Sequence, residues 1–166
     1  MRPMIPARRL APQSTVDLPL RDAPVRADPG HTGAMDMTVT RTGPARPADV
    51  WQHYERLDLW TVWAPHLTNV RADSATLAPG TSGVVTALGL VPAAFRVMSV
   101  RANLHSWSWR VRVGPMTLEL THDVAPTPRG GSRADVRIQG PAPVLLAYRP
   151  LMGWALARLV RVGPAH

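Results

Sequence analysis

The stretch "SWSWRVRVGPMTLELTHDV", residues 106–124, constrains the fold more than any other part of the chain. Trp107, Trp109, Val111 and Val113 alternate with Ser106, Ser108, Arg110 and Arg112, and the alternation resumes after Gly114 and Pro115 through Met116, Leu118, Leu120, His122 and Val124. A period of two sends successive side chains to opposite faces of a strand. With Gly114-Pro115 as a two-residue turn, Val113 pairs with Met116, and counting outward puts Arg110 opposite Glu119 on one face, and Trp109 opposite Leu120 and Trp107 opposite His122 on the other. Ala134, Val136 and Ile138 against Arg133, Asp135 and Arg137 repeat the division on a further strand. One sheet face is therefore ionic and solvated, the other dry. Ser106 and Ser108 are placed on the solvated face, and His122 is the polar exception on the dry one.

The remaining elements follow from the same kind of reading. "MDMTVTRTG" is a first strand in which Met35, Met37, Val39 and Arg41 share a face, ending at Gly43-Pro44. A helix follows, with Pro47 in its first turn, Asp49 at the positive end of its dipole, and Val50, Trp51, Tyr54 and Leu57 on one face. Asp58 is expected to cap a second short helix, "LWTVW", which Pro65 stops. From Asn69 to Gln139 the chain reads as strands separated by turns at Pro79-Gly80, Leu90 to Pro92, Asn103, Gly114-Pro115 and Arg129 to Gly131. Connections this short imply antiparallel pairing throughout. Ala142 to Val162 is a helix whose stripe is Leu145, Tyr148, Met152, Ala155, Leu156 and Leu159, with a kink or break at Pro150. The class is α+β, with the long terminal helix covering the dry face.

Residues 1–34 differ: they hold six of the eighteen prolines and none of the nine aromatic residues, so a disordered Pro/Arg-rich leader is expected there. A miscalled start, with Met35 or Met37 as the true first residue, is the competing reading. Arg8-Arg9 lacks the continuous apolar segment of an export signal, which leaves a cytoplasmic location expected. Residues 35–166 then form one domain. The net charge of +8 is carried by arginine alone, with no lysine. The arginines of the solvated face have cross-strand partners and the aromatics face away from them, so nucleic acid is not the expected partner. Peripheral membrane contact through Trp154 beside Arg158 and Arg161 is a further option, against packing of that indole on a neighbouring loop. The oligomeric state is left open.

Chemistry-bearing motifs are few. There is no cysteine, hence no disulfide or thiolate chemistry, and the histidines have no metal-ligand spacing such as HExxH. Neither a G-x-S-x-G elbow nor a phosphate-binding glycine loop is present, and Glu119 and Asp123 point outward. No metal and no cofactor are expected. His66, after Pro65, is placed at a loop mouth as a rim residue. His122 is either a satisfied interior histidine or, in an enzyme, a proton-transfer group.

The order of elements, strand, two short helices, six antiparallel strands and a long helix, resembles the helix-grip fold of the START/Bet v 1-like (SRPBCC) superfamily, in its polyketide cyclase/dehydrase and lipid-transport branch. The segments that carry the resemblance are "PADVW" at 47–51, "LWTVWAPHLTNV" at 59–70, "APGTSG" at 78–83, "SWSWRVRVG" at 106–114, "LTHDVAP" at 120–126 followed by "GGSR", and "GPAPVLLAYRPL" at 140–151. The resemblance implies a curved sheet of six to seven strands around the C-terminal helix, with a hydrophobic small molecule, lipid or polyketide-like, held between them. It implies a lining drawn from Trp60, Trp63, Phe95, Trp107, Trp109, Leu118, Leu120, His122, Val136, Tyr148 and Met152. It leaves a second option, a cyclase, aromatase or dehydratase using the same cavity with His122 moving a proton, and brings no catalytic signature.

Overall fold

The computed structural model describes residues 34–165. The proposed leader, residues 1–34, therefore lies outside the described residues apart from Ala34, whereas Met35 and Met37, named in the competing reading, lie in the first strand. The elements are β1 (Ala34–Gly43), α1 (Pro47–Glu55), α2 (Trp60–Trp63), β2 (Leu67–Ala72), β3 (Ser82–Ala87), β4 (Val91–Arg101), β5 (Ser106–Val113), β6 (Met116–Pro126), β7 (Ser132–Pro141) and α3 (Ala142–Leu159). The seven strands form one antiparallel sheet in the order β1-β7-β6-β5-β4-β3-β2. This is the helix-grip arrangement expected from the sequence.

The β5–β6 register is the one obtained by counting from Gly114-Pro115: Val113 faces Met116, Arg110 faces Glu119, Trp109 faces Leu120 and Trp107 faces His122. Arg110 and Glu119 form an ion pair at 2.7 Å on the exposed face. Ala134, Val136 and Ile138 are fully buried on the other.

Several local expectations are corrected. Asp58 does not cap α2; it lies in a 3-10 turn at Leu57–Leu59 and is held by Arg56, two residues earlier. The turn after β3 sits at Leu88-Gly89, both in the left-handed region, so Val91 and Pro92 already belong to β4. Ser106 is buried rather than solvated, and the Ser108 hydroxyl is within 2.7 Å of that of Ser99. Pro150 does not break α3. Leu146, whose carbonyl loses its intrahelical donor there, is on the exposed side with Pro150, so water can take that carbonyl.

What positions the cavity is where α3 touches the sheet. Its close backbone neighbours are β1, β7 and α2. At the seam with β1, the Gly43 Cα faces the Val160 backbone with no room for a Cβ, and the Arg41 guanidinium lies over Gly153. Pinned at that edge, the helix stands away from β3 to β6, and the sheet's right-handed twist widens the gap.

Candidate functional site

Two regions with different packing occupy the space between the helices and the dry face of the sheet. The first is a solid aromatic block. Trp107 stacks on His122 at 4.4 Å and 9°. Trp60 packs on both Trp107 and Trp109, at 5.5 and 5.1 Å, and Phe95 on Trp109 at 5.6 Å. Tyr54 meets Trp63 edge-on at 5.3 Å. The polar edges of these rings are largely used up within the block: Trp60 Nε1 donates to the Tyr54 carbonyl (3.0 Å) and Trp63 Nε1 to the His53 carbonyl (3.1 Å). Trp107 Nε1 is buried without a partner among the described residues.

His122 is wholly buried inside this block. Trp109 Nε1 donates to its Nε2 at 3.1 Å, which places the imidazole proton on Nδ1, 3.2 Å from the Tyr54 hydroxyl. Burial lowers its pKa to about 3, so the ring is neutral at pH 7. Both nitrogens are engaged by protein groups.

The second region is an apolar cavity of about 170 Å³ between α3 and strands β3 to β6. Val85 and Ala87 of β3, Ala93 of β4, Trp109 and Val111 of β5, Leu118 and Leu120 of β6, and Val144, Tyr148 and Leu151 of α3 line it. Leu88, Val91, Val113 and Met116 line it at the end of the sheet where the β3–β4 and β5–β6 turns lie. Of the residues expected from the sequence, Trp109, Leu118, Leu120 and Tyr148 line this cavity. Trp60, Trp63, Phe95, Trp107, His122, Val136 and Met152 are not among its lining residues; they are buried in the core beside it. The inward face of the sheet was read correctly, but much of it is filled by neighbouring rings.

His66 corrects the sequence reading. It is not a rim residue: it is 3% exposed, lines the cavity, and its Nε2 lies 3.0 Å from the Tyr148 hydroxyl. Its Nδ1 is buried with no partner among the described residues. Burial lowers its pKa to about 4 and raises that of Tyr148, so both are neutral at pH 7. The Leu88 backbone N–H donates to the His66 carbonyl at 2.7 Å, tying this residue to the β3–β4 turn. No sequence signal linked His66 to Tyr148, which is 82 positions away.

Elsewhere, an open furrow of about 760 Å³ runs between Thr42–Pro44 and the β6–β7 turn, Pro126–Gly131, at the opposite end of the sheet. Trp154 is half exposed and lines a surface groove with Val62, Arg158 and Arg161, and Arg158 donates to the Val62 carbonyl at 2.9 Å. Among the described residues no cluster of three or more His, Asp or Glu could hold a metal ion, and no helix is long and apolar enough to cross a membrane.

This order of elements agrees with the comparisons to known proteins. Residues 34–163 match the family model described as "Polyketide cyclase / dehydrase and lipid transport". The chain belongs to this family. Among solved structures it is similar to Ara h 8.0201, with a TM-score of 0.63 and 13% identity over 78% of this chain and 97% of that one, a likeness of fold alone. A comparison with curated protein sequences finds no match. The family thus gives the helix-grip scaffold, and the particular side chains described above give this member its cavity.

Proposed function

We propose that this protein binds a hydrophobic small molecule, lipid or polyketide-like in character, in the cavity between strands β3 to β6 and α3. The observation that carries this reading is the near absence of polar groups around a partly enclosed volume that the fold leaves unfilled: mainly aliphatic side chains from the sheet and α3 surround it, with one indole, one imidazole and one phenol among them. Apolar surface facing such a void has lost the contacts that packing would give it, and a guest restores them. A dry apolar cavity of about 150 Å³ admits benzene, so about 170 Å³ admits a single ring, and a larger molecule must extend through the end near Leu88.

This reading gives His122 a packing role rather than proton transfer, since Trp109 and Tyr54 already occupy its nitrogens. Nucleic acid has no part in it: Arg110 and Arg133 are paired with carboxylates on the exposed sheet face, and Arg137 lies 3.8 Å from Asp36. The exposed Trp154 beside Arg158 and Arg161 supports peripheral membrane contact as a secondary property, outside the cavity.

Ala93 supplies the test, because it is buried, small and on the cavity wall. Ala93→Leu fills the space that a guest needs. Titration with cumene, followed by tryptophan emission, is expected to give a saturable change in the wild type through Trp109 and at least about tenfold weaker binding in the variant. Native mass spectrometry of freshly purified protein is expected to show an apolar guest. Equal responses in both proteins, or none in either, would remove the cavity from the function.

A further inference from the structure

The end of the sheet where the cavity opens carries leucines held out in water. The β3–β4 turn is closed by the Leu90 N–H, which donates to the Ala87 carbonyl at 3.1 Å, and its central residues, Leu88 and Gly89, both have positive φ, 51° and 74°. Asparagine or glycine is the usual residue at the first of these positions, because a larger side chain in the left-handed region crowds the following carbonyl. Here the position holds a leucine that is 59% exposed. Leu90 beside it is 86% exposed, the most of any large apolar side chain among the described residues. The turn gives up backbone ease and burial together, a combination that marks a site kept for contact rather than for stability.

The surroundings extend the patch. The β5–β6 turn and the start of α3 lie at the same end of the sheet as the β3–β4 turn. Residues 82–95, 113–118 and 138–148, which form these three connections and their flanks, contain no charged side chain. Leu146, in the second turn of α3, is 59% exposed, and Val91 is exposed where it lines the cavity with Leu88. Just beyond the uncharged stretches stand Arg112 and Arg149, both exposed and, among the described residues, without a carboxylate partner. Asp36 on β1 and Glu119 on β6 are engaged by Arg137 at 3.8 Å and Arg110 at 2.7 Å. An apolar tip with a cationic rim complements an anionic lipid surface, which accepts projecting side chains without a shaped pocket. A second copy of the chain would bring the same arginines together.

Resting on the proposed function above, we infer that Leu88, Leu90, Val91 and Leu146, within the rim of Arg112 and Arg149, dock the protein on anionic membranes with the cavity opening turned toward the acyl chains. A hydrophobic guest then passes between bilayer and cavity without entering water. Trp154 is outside this surface: it lies about 12 Å further along α3 than Leu146, toward the end where Val160 meets Gly43.

Sedimentation with phosphatidylcholine vesicles, with and without phosphatidylglycerol, tests the docking. Wild-type protein is expected to bind the mixed vesicles, and Leu90→Asp to lower that partitioning by at least about tenfold. Leu90 does not line the cavity, so the same variant is expected to keep its cumene affinity in vesicle-free solution within about twofold. Leu88→Asn is expected to raise Tm by about 3 °C, as the left-handed position is relieved, and still to weaken vesicle binding. Joint substitution Arg112→Gln and Arg149→Gln is expected to reduce the preference for the mixed vesicles by about tenfold. Because the chain has no cysteine, Leu90→Cys accepts a single spin label. With vesicles present that label is expected to become accessible to dissolved oxygen and shielded from an aqueous nickel complex, whereas one at Met98→Cys, on the exposed side of β4, stays in water. No binding to either vesicle, a Leu90 label that stays in water, or a loss in Trp154→Ala as large as that in Leu90→Asp would overturn the docking surface. A wild-type dimer that Leu90→Asp dissociates would also overturn it and assign the tip to a second copy of the chain. Docking as expected with no cumene binding would overturn the proposed cavity function and leave the tip in place.

Discussion

At the scale of single residues, the two buried imidazoles make stability depend on pH in a definite direction. His122 and His66 have folded pKa values of about 3 and about 4 against an ordinary 6.5, both because burial disfavours the charged ring. The unfolded chain therefore takes up protons below about pH 6.5 that the folded chain refuses, and stability falls as pH falls through that window. Each group adds a slope of about 1.4 kcal/mol per pH unit well below pH 6.5 until its folded pKa is reached. Urea unfolding is expected to show little change above pH 7.5 and a clear loss between pH 6 and 5, with the slope reduced in His66→Asn. A stability profile flat across that range would mean that both rings take up protons in the folded protein, against the burial described here. His66 also shows what a residue type alone does not reveal: Pro65 and the loop position suggested an exposed rim, and its partner Tyr148 belongs to an element at the other end of the chain.

Among elements, the seam between β1 and α3 fixes how far the helix stands from the rest of the sheet. Two glycines on that seam should respond oppositely to alanine. A Cβ at Gly43 would fall on the backbone and side chain of Val160, so Gly43→Ala is expected to destabilise by about 2 kcal/mol or more and to disturb the cavity as α3 shifts. At Gly153 the nearest atom is the tip of the flexible Arg41 side chain, 2.9 Å away, and the backbone is helical. Gly153→Ala is expected to be neutral or to stabilise by about 0.5–1 kcal/mol, from the entropy of the unfolded chain. Thermal unfolding of the two variants checks both signs, and a loss at Gly153 equal to that at Gly43 would show that the helix cannot tolerate any movement of Arg41. The hairpin register was legible because strict alternation and Gly114-Pro115 leave one way to count. The seam was not, since close approach of Gly43 to Val160 joins positions more than a hundred apart and leaves no local pattern. Asp58 failed as a cap for a nearer reason: Arg56 lies within reach of the same carboxylate.

For the whole molecule, the sheet's dry face serves two purposes along its length. Trp60, Trp63, Phe95, Trp107 and His122 interlock under α1 and α2, and this block supports Trp109, whose other side faces the cavity. Alternation identifies which side chains point inward, but whether they meet another ring or open space depends on where α3 stands off. That is why the fold could be read from the sequence while the lining was read only in part. The central claim is that a guest occupies the space between β3 to β6 and α3. Its most direct test is a set of intermolecular NOEs between cumene and assigned methyl groups in solution. Contacts are expected to Val85, Leu118 and Leu120, which line the cavity, and not to Val136 and Ile138, which are packed beside it. NOEs confined to Val62 and other residues around Trp154, or spread over the surface with none to Leu118 or Leu120, would contradict it.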